Sequence, residues 1–137
     1  LALTMKEIHE SARGTALVYL NSTPTAPGDA RRFVVGVLED HPAVESAKLV
    51  ISELVTNAVR HGGRDAGCIT VSVDQHAGAS KDRIRIEVSQ PDHMGFDFEE
   101  RDAGHMDSTG RGLMIVDAVA EDWGFDRSNG SVWVLLA

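Results

Sequence analysis

Cysteine is nearly absent from this chain: Cys68 is the only one among 137 residues. A single thiol cannot close an internal bridge, which excludes a disulfide scaffold and fits a reducing compartment. Long apolar runs are missing as well. None approaches the ~20 residues that cross a bilayer as a helix, so no membrane partner and a cytoplasmic location are expected. Basic stretches are also lacking. The chain has 13 Lys and Arg against 21 Asp and Glu, a net charge of −8, and its basic residues adjoin only at Arg31-Arg32. A nucleic-acid binder concentrates positive charge on one face, so direct binding of DNA or RNA is disfavoured. An acidic surface still admits an anionic nucleotide where backbone amides and a cation answer the phosphates. There is no internal repeat, no low-complexity tract, no Gly-Lys-Ser/Thr phosphate loop and no dinucleotide-type glycine fingerprint.

What is present suits one globular domain. Apolar residues make up 42% and charged residues 25% of the sequence, and a chain this long needs no covalent staple. Residues 1–14 are polar and aperiodic. They read as a tail, a remnant or a short helix, and not as a signal peptide, leaving residues 15–137 as the domain. Ala16 to Leu20 reads as a strand, and Asn21 to Gly28 as a loop. Asp29 is expected to cap a helix whose apolar positions are Phe33, Val34, Val37 and Leu38 and which stops at Glu39-Asp40-His41-Pro42. A second helix is expected from Pro42 to His61, with Val44, Ala47, Ile51, Leu54 and Ala58 as its core stripe and Gly62-Gly63 as its stop. Ile69 to Val73 and Arg83 to Val88 alternate as strands do. Asp92 to Thr109 shows no period; compact domains rarely carry loops beyond about 12–15 residues unless they are functional. A third helix from Gly112 to Glu121 and a hairpin, Trp123 to Asp126 and Ser131 to Leu136 turning at Ser128-Asn129-Gly130, complete the chain. This order predicts an α+β two-layer sandwich with helices on one sheet face.

Three segments carry chemistry. Glu53, Asn57 and His61 share one face of the second helix, beside the core stripe rather than opposite to it. They offer a base, a neutral oxygen ligand and an imidazole. Mg²⁺ takes oxygen ligands and keeps several waters and phosphate oxygens, so one Asn oxygen can suffice from the protein. The same spacing also suits a solvated polar face. Thr109-Gly110-Arg111-Gly112-Leu113 places two glycines before an apolar helix, which frees backbone N–H groups for an anion; a flexible junction would look alike. Ser89-Gln90-Pro91-Asp92-His93-Met94-Gly95 follows a strand and suits either base-edge recognition or a surface turn.

In this order the segments resemble the histidine-kinase-like ATPase superfamily (the Bergerat fold). Glu53 to Gly62 is similar to its N box, Gly110-Arg111-Gly112-Leu113 to its second glycine box, and Gly130-Ser131-Val132 to its closing Gly-Thr with serine for threonine. Ala30-Arg31-Arg32-Phe33 and Gly110 to Val116 resemble the branch of bacterial anti-sigma-factor serine kinases and their regulatory relatives. The resemblance implies a mixed, mostly antiparallel sheet, ATP and Mg²⁺ as ligands, and a sigma factor or an anti-anti-sigma protein as partner, with homodimers common in the branch. It implies Asn57 as Mg²⁺ ligand and Glu53 as general base. Arg60, His61 and Gly62 would lie near phosphate, and the amides of Thr109, Gly110, Arg111, Gly112 and Leu113 would hold phosphate. Asp92 to Thr109 would form the ATP lid, and Ser131 would sit near the adenine pocket. The implied activity is transfer of the γ-phosphoryl of ATP to a serine or threonine of an antagonist protein. The alternative is an adaptor that keeps the fold and sequesters a partner without turnover.

The first glycine box departs from the pattern. Gln90 stands where the family carries the aspartate that reads the adenine amino group, with Asp92 as the alternative reader and Gly95 as the surviving glycine. Weak adenine recognition is therefore expected, tightened by Gln90→Asp. His9-Glu10 resembles a histidine-kinase phosphoacceptor site but lacks its proline-containing continuation. His61, His93 and His105 lack the close spacing of a transition-metal site.

Overall fold

The computed structural model describes residues 5–10, 14–61, 67–75, 83–90, 110–126, 128 and 130–137. The elements, in chain order, are β1 (Met5–Glu10), β2 (Thr15–Asn21), α1 (Ala26–Leu38), α2 (Val44–His61), β3 (Cys68–Asp74), β4 (Ile84–Ser89), α3 (Gly110–Val119), β5 (Asp122–Asp126) and β6 (Ser131–Leu136). The strands form one six-stranded sheet in the order β1-β2-β3-β4-β6-β5. Every pairing among them is antiparallel, so the sheet is not mixed.

Residues 5–10 form a strand where a tail or short helix is expected. The segment Met-Lys-Glu-Ile-His-Glu has too few apolar residues to show a period of two, and its register on β2 shifts between Met5 and Glu7. Charge and irregularity are common in a strand that closes a sheet edge, where the neighbouring backbone supplies the pairing. α1 also begins before its expected cap. Pro27 lies in its first turn, where a missing N–H costs nothing and φ is already set. Asp29 therefore sits inside the helix rather than capping it. It is buried, pairs with Arg32 and favours the positive end of the helix dipole.

Alternation decides which sheet face is covered. Val18 and Leu20, Ile69, Val71 and Val73, Ile84, Ile86 and Val88, and Val134 and Leu136 are buried together. Their partners across the ladder fall in register, as in Val18↔Val71↔Val88 and Ile86↔Val134. The three helices cover this face: α1 packs on β2 and β3, α2 on β4 and β6, and α3 on β5, with α2 between the other two. Ala30, Phe33, Val34 and Leu38 of α1 and Ala47, Val50, Ile51, Leu54 and Val55 of α2 complete the core. Full burial of an Ile or Leu contributes about 1.5–3 kcal/mol. Ile51 and Leu54 thus fix the rotation of α2 and, with it, the direction of its polar stripe.

α1 stops in a strained turn. The His41 N–H donates to Leu38 O at 2.9 Å, and Glu39 holds φ 55° and ψ −114°. These are the angles of the first central residue of a type II′ turn, a place glycine favours. A non-glycine residue there costs on the order of 1–3 kcal/mol, partly offset by the greater chain entropy of glycine. Glu39→Gly is expected to stabilise the protein by about 1 kcal/mol, raising Tm by a few degrees in a thermal melt; an unchanged or lower Tm would show that the turn is not strained. His41 then starts α2, its Nδ1 accepting the Ala43 N–H at 2.9 Å.

Candidate functional site

α2 supplies the first part of the site. The Arg31 guanidinium of α1 donates to Ser52 Oγ at 3.1 Å, so Ser52 marks the α1 side of the helix. At about 100° per residue, Glu53 and Asn57 project from the opposite flank of the core stripe, the side where α3 packs. Both are half-buried. Neither side chain has a hydrogen-bond partner among the described residues. A carboxylate and an amide one turn apart, sheltered and unengaged by any described residue, have the capacity to bind a ligand. Their oxygens are the hard donors that Mg²⁺ accepts, so they fit that ion. Among the described residues no three His, Cys, Asp or Glu side chains gather into a group that could hold a metal ion. Arg60 follows on the exposed last turn.

α3 supplies the second part. It begins at Gly110, two residues earlier than expected, so the glycines lie in its first turn. The N–H groups of Gly110, Arg111 and Gly112, its first three residues, then lack intrahelical acceptors. These amides collect at the positive end of the helix dipole, where an anion is favoured. Leu113 is the fourth residue, where intrahelical N–H bonding begins, and its side chain is buried. Val116 joins the core, and Trp123 Nε1 donates to Asp117 Oδ1 at 3.0 Å, which fastens α3 to β5.

Gln90 lies at the end of β4, in step with Ile84, Ile86 and Val88 and hence on the helix-bearing side. Its Nε2 donates to the Ala58 carbonyl of α2 at 3.0 Å, and its backbone N–H donates to Gly130 O at 3.3 Å. Sequence reasoning missed the bond to Ala58. It reverses the expectation for Gln90→Asp: a shorter carboxylate would lose this donor and oppose the carbonyl, so tightening is no longer expected.

Ser131 is not brought to this site. It pairs with Ser89 in the ladder, on the face opposite the described helices, and its fully buried hydroxyl donates to Glu87 Oε2 at 2.6 Å. Glu87 accepts from Arg85 Nη1 at 2.7 Å, and Arg85 lies 5.6 Å from the Trp133 ring centroid. That network belongs to the outer sheet surface, the opposite side from Gln90. Gly62, Asp92, Gly95 and Thr109, and the expected lid as a whole, lie outside the described residues, as do the side chains of His61 and Arg111. No helix among the described residues is long and apolar enough to cross a membrane.

Residues 43–135 match the family described as histidine kinase-, DNA gyrase B-, and HSP90-like ATPase. No curated protein matches the chain.

Proposed function

The chain belongs to the histidine kinase-, DNA gyrase B- and HSP90-like ATPase family, a family of ATP-binding domains, and we propose on that premise that it is a cytoplasmic protein kinase of the anti-sigma-factor type. Its substrate would be a serine or threonine of a small antagonist protein. Its partners would be that antagonist and a sigma factor, without direct contact to nucleic acid. The observation that carries the reading is the Glu53/Asn57 pair, half-buried and without hydrogen-bond partners among the described residues.

Asn57 would hold Mg²⁺ through its side-chain oxygen, and the amides from Gly110 to Gly112 would hold phosphate. The ion, when bound, neutralises charge on the β- and γ-phosphates. Glu53 would take the proton of the attacking serine hydroxyl as its oxygen bonds to the γ-phosphorus. The bond from that phosphorus to the β–γ bridging oxygen breaks, and ADP leaves. Little covalent work falls to the protein, so positioning and charge neutralisation supply most of the rate.

Calorimetric titration with Mg-ATP, followed by incubation with labelled ATP and a serine-bearing antagonist, tests this reading. Binding followed by label on the antagonist is expected. Absence of binding would overturn the nucleotide reading. Binding without transfer would favour the second reading, a non-catalytic adaptor. Gln90 supports that second reading, because a neutral amide replaces the carboxylate that would hold adenine most firmly.

A further inference from the structure

Among the described residues, few buried side chains hold the last turn of α2. Val55 is the last fully buried side chain of that helix among the described residues. Beyond it Ala58 and Val59 are only partly buried, and Arg60 is exposed. Helix ends with few buried side chains fray unless another group ties them down. Gln90 is such a group: its Nε2 donates to the Ala58 carbonyl at 3.0 Å, while its own backbone is fastened to Gly130 on the neighbouring strand. Ala58 adjoins Asn57.

We propose that Gln90 is a positioning residue for Asn57, tying the end of α2 to the sheet and thereby orienting the side-chain oxygen that the helix offers to a Mg²⁺–phosphate ligand. The metal half of this proposal rests on the nucleotide reading above; the tie itself does not. The role is distinct from reading a base, because it uses one N–H of Nε2 and leaves Oε1 and the second N–H to face a ligand.

Gln90→Glu separates the two roles. It keeps the shape and an acceptor but cannot donate when ionised, and it sets a negative group against the negative end of the α2 dipole. In the ligand-free protein, the amides of Arg60 and His61 are expected to exchange hydrogen severalfold faster in this variant, with those around Val50 unchanged. Equal rates at Arg60 and His61 would overturn the tie. The second arm uses Mg²⁺ with tripolyphosphate, which has no base. The Mg²⁺ concentration for half-saturation is expected to rise about fivefold in Gln90→Glu, the worth of one ordinary hydrogen bond. The double variant with Asn57→Ala is expected to rise no further than Asn57→Ala alone. An unchanged Mg²⁺ requirement, as a pure base contact would give, overturns the positioning role. So does a rise that persists beside Asn57→Ala, as a general loss of packing would give. A parent protein that binds neither ATP nor tripolyphosphate overturns the nucleotide reading and the metal half with it, and the exchange arm still decides the tie.

Discussion

Asn57→Ala is expected to remove the Mg²⁺-dependent part of ATP binding while leaving the fold intact. An interaction with a charged group is worth about 1.5–3 kcal/mol, so the loss is about 10- to 100-fold in Kd. The fold should tolerate the change because the side chain is half-buried and has no hydrogen-bond partner among the described residues. Its removal orphans no buried donor or acceptor among the described residues, and such substitutions usually stay within about 0.5 kcal/mol. Calorimetry with and without Mg²⁺, beside a thermal melt, checks both halves. Unchanged affinity would remove Asn57 as the metal ligand, and collapse of the melt would mean that the residue is structural.

Glu53→Ala is expected to keep ATP binding and lose phosphoryl transfer by about 10²–10⁴-fold, the usual contribution of a positioned base. Glu53 lies one turn before Asn57 on the same flank, so as a general base it would act at the phosphate end of a ligand that Asn57 would hold. Glu53→Gln, which keeps the shape and removes the base, should fall almost as far. Transfer at the parent rate in either variant would refute the assignment, and an equal loss of binding would make Glu53 a ligand contact instead.

The N-box helix was legible because one physical fact sets both of its faces. Ala47, Ile51 and Leu54 at helical spacing demand burial, and their burial aims Glu53 and Asn57 along the opposite flank from Ser52. Strands β3 and β4 were legible for the same reason, since alternate Ile and Val must share a face. β1 was not, because an edge strand bearing Lys6, Glu7, His9 and Glu10 is specified by its neighbour rather than by its own pattern. The resemblance of Gly130-Ser131-Val132 to the closing Gly-Thr implies that Ser131 sits near the adenine pocket. Which face a strand residue takes depends on ladder register, and register puts it opposite Ser89. The bond from Gln90 to Ala58 joins residues 32 apart in sequence. No local pattern encodes such a contact, so a residue legible only as a weakened base reader proves also to be a tether.

The two tryptophans stand on opposite sides of the sheet. Trp123 packs against the helix-side core and donates to Asp117 of α3, the helix whose first turn carries the glycine amides. Trp133 lies on the outer face, with the Arg85 guanidinium near its ring and Gly124 so close that an added methyl would come within 2.9 Å of the indole. The protein's intrinsic fluorescence is therefore the sum of two independent optical probes. Trp123, bonded to Asp117, would report a shift of α3, while Trp133, on the far side of the sheet, would serve as an internal reference.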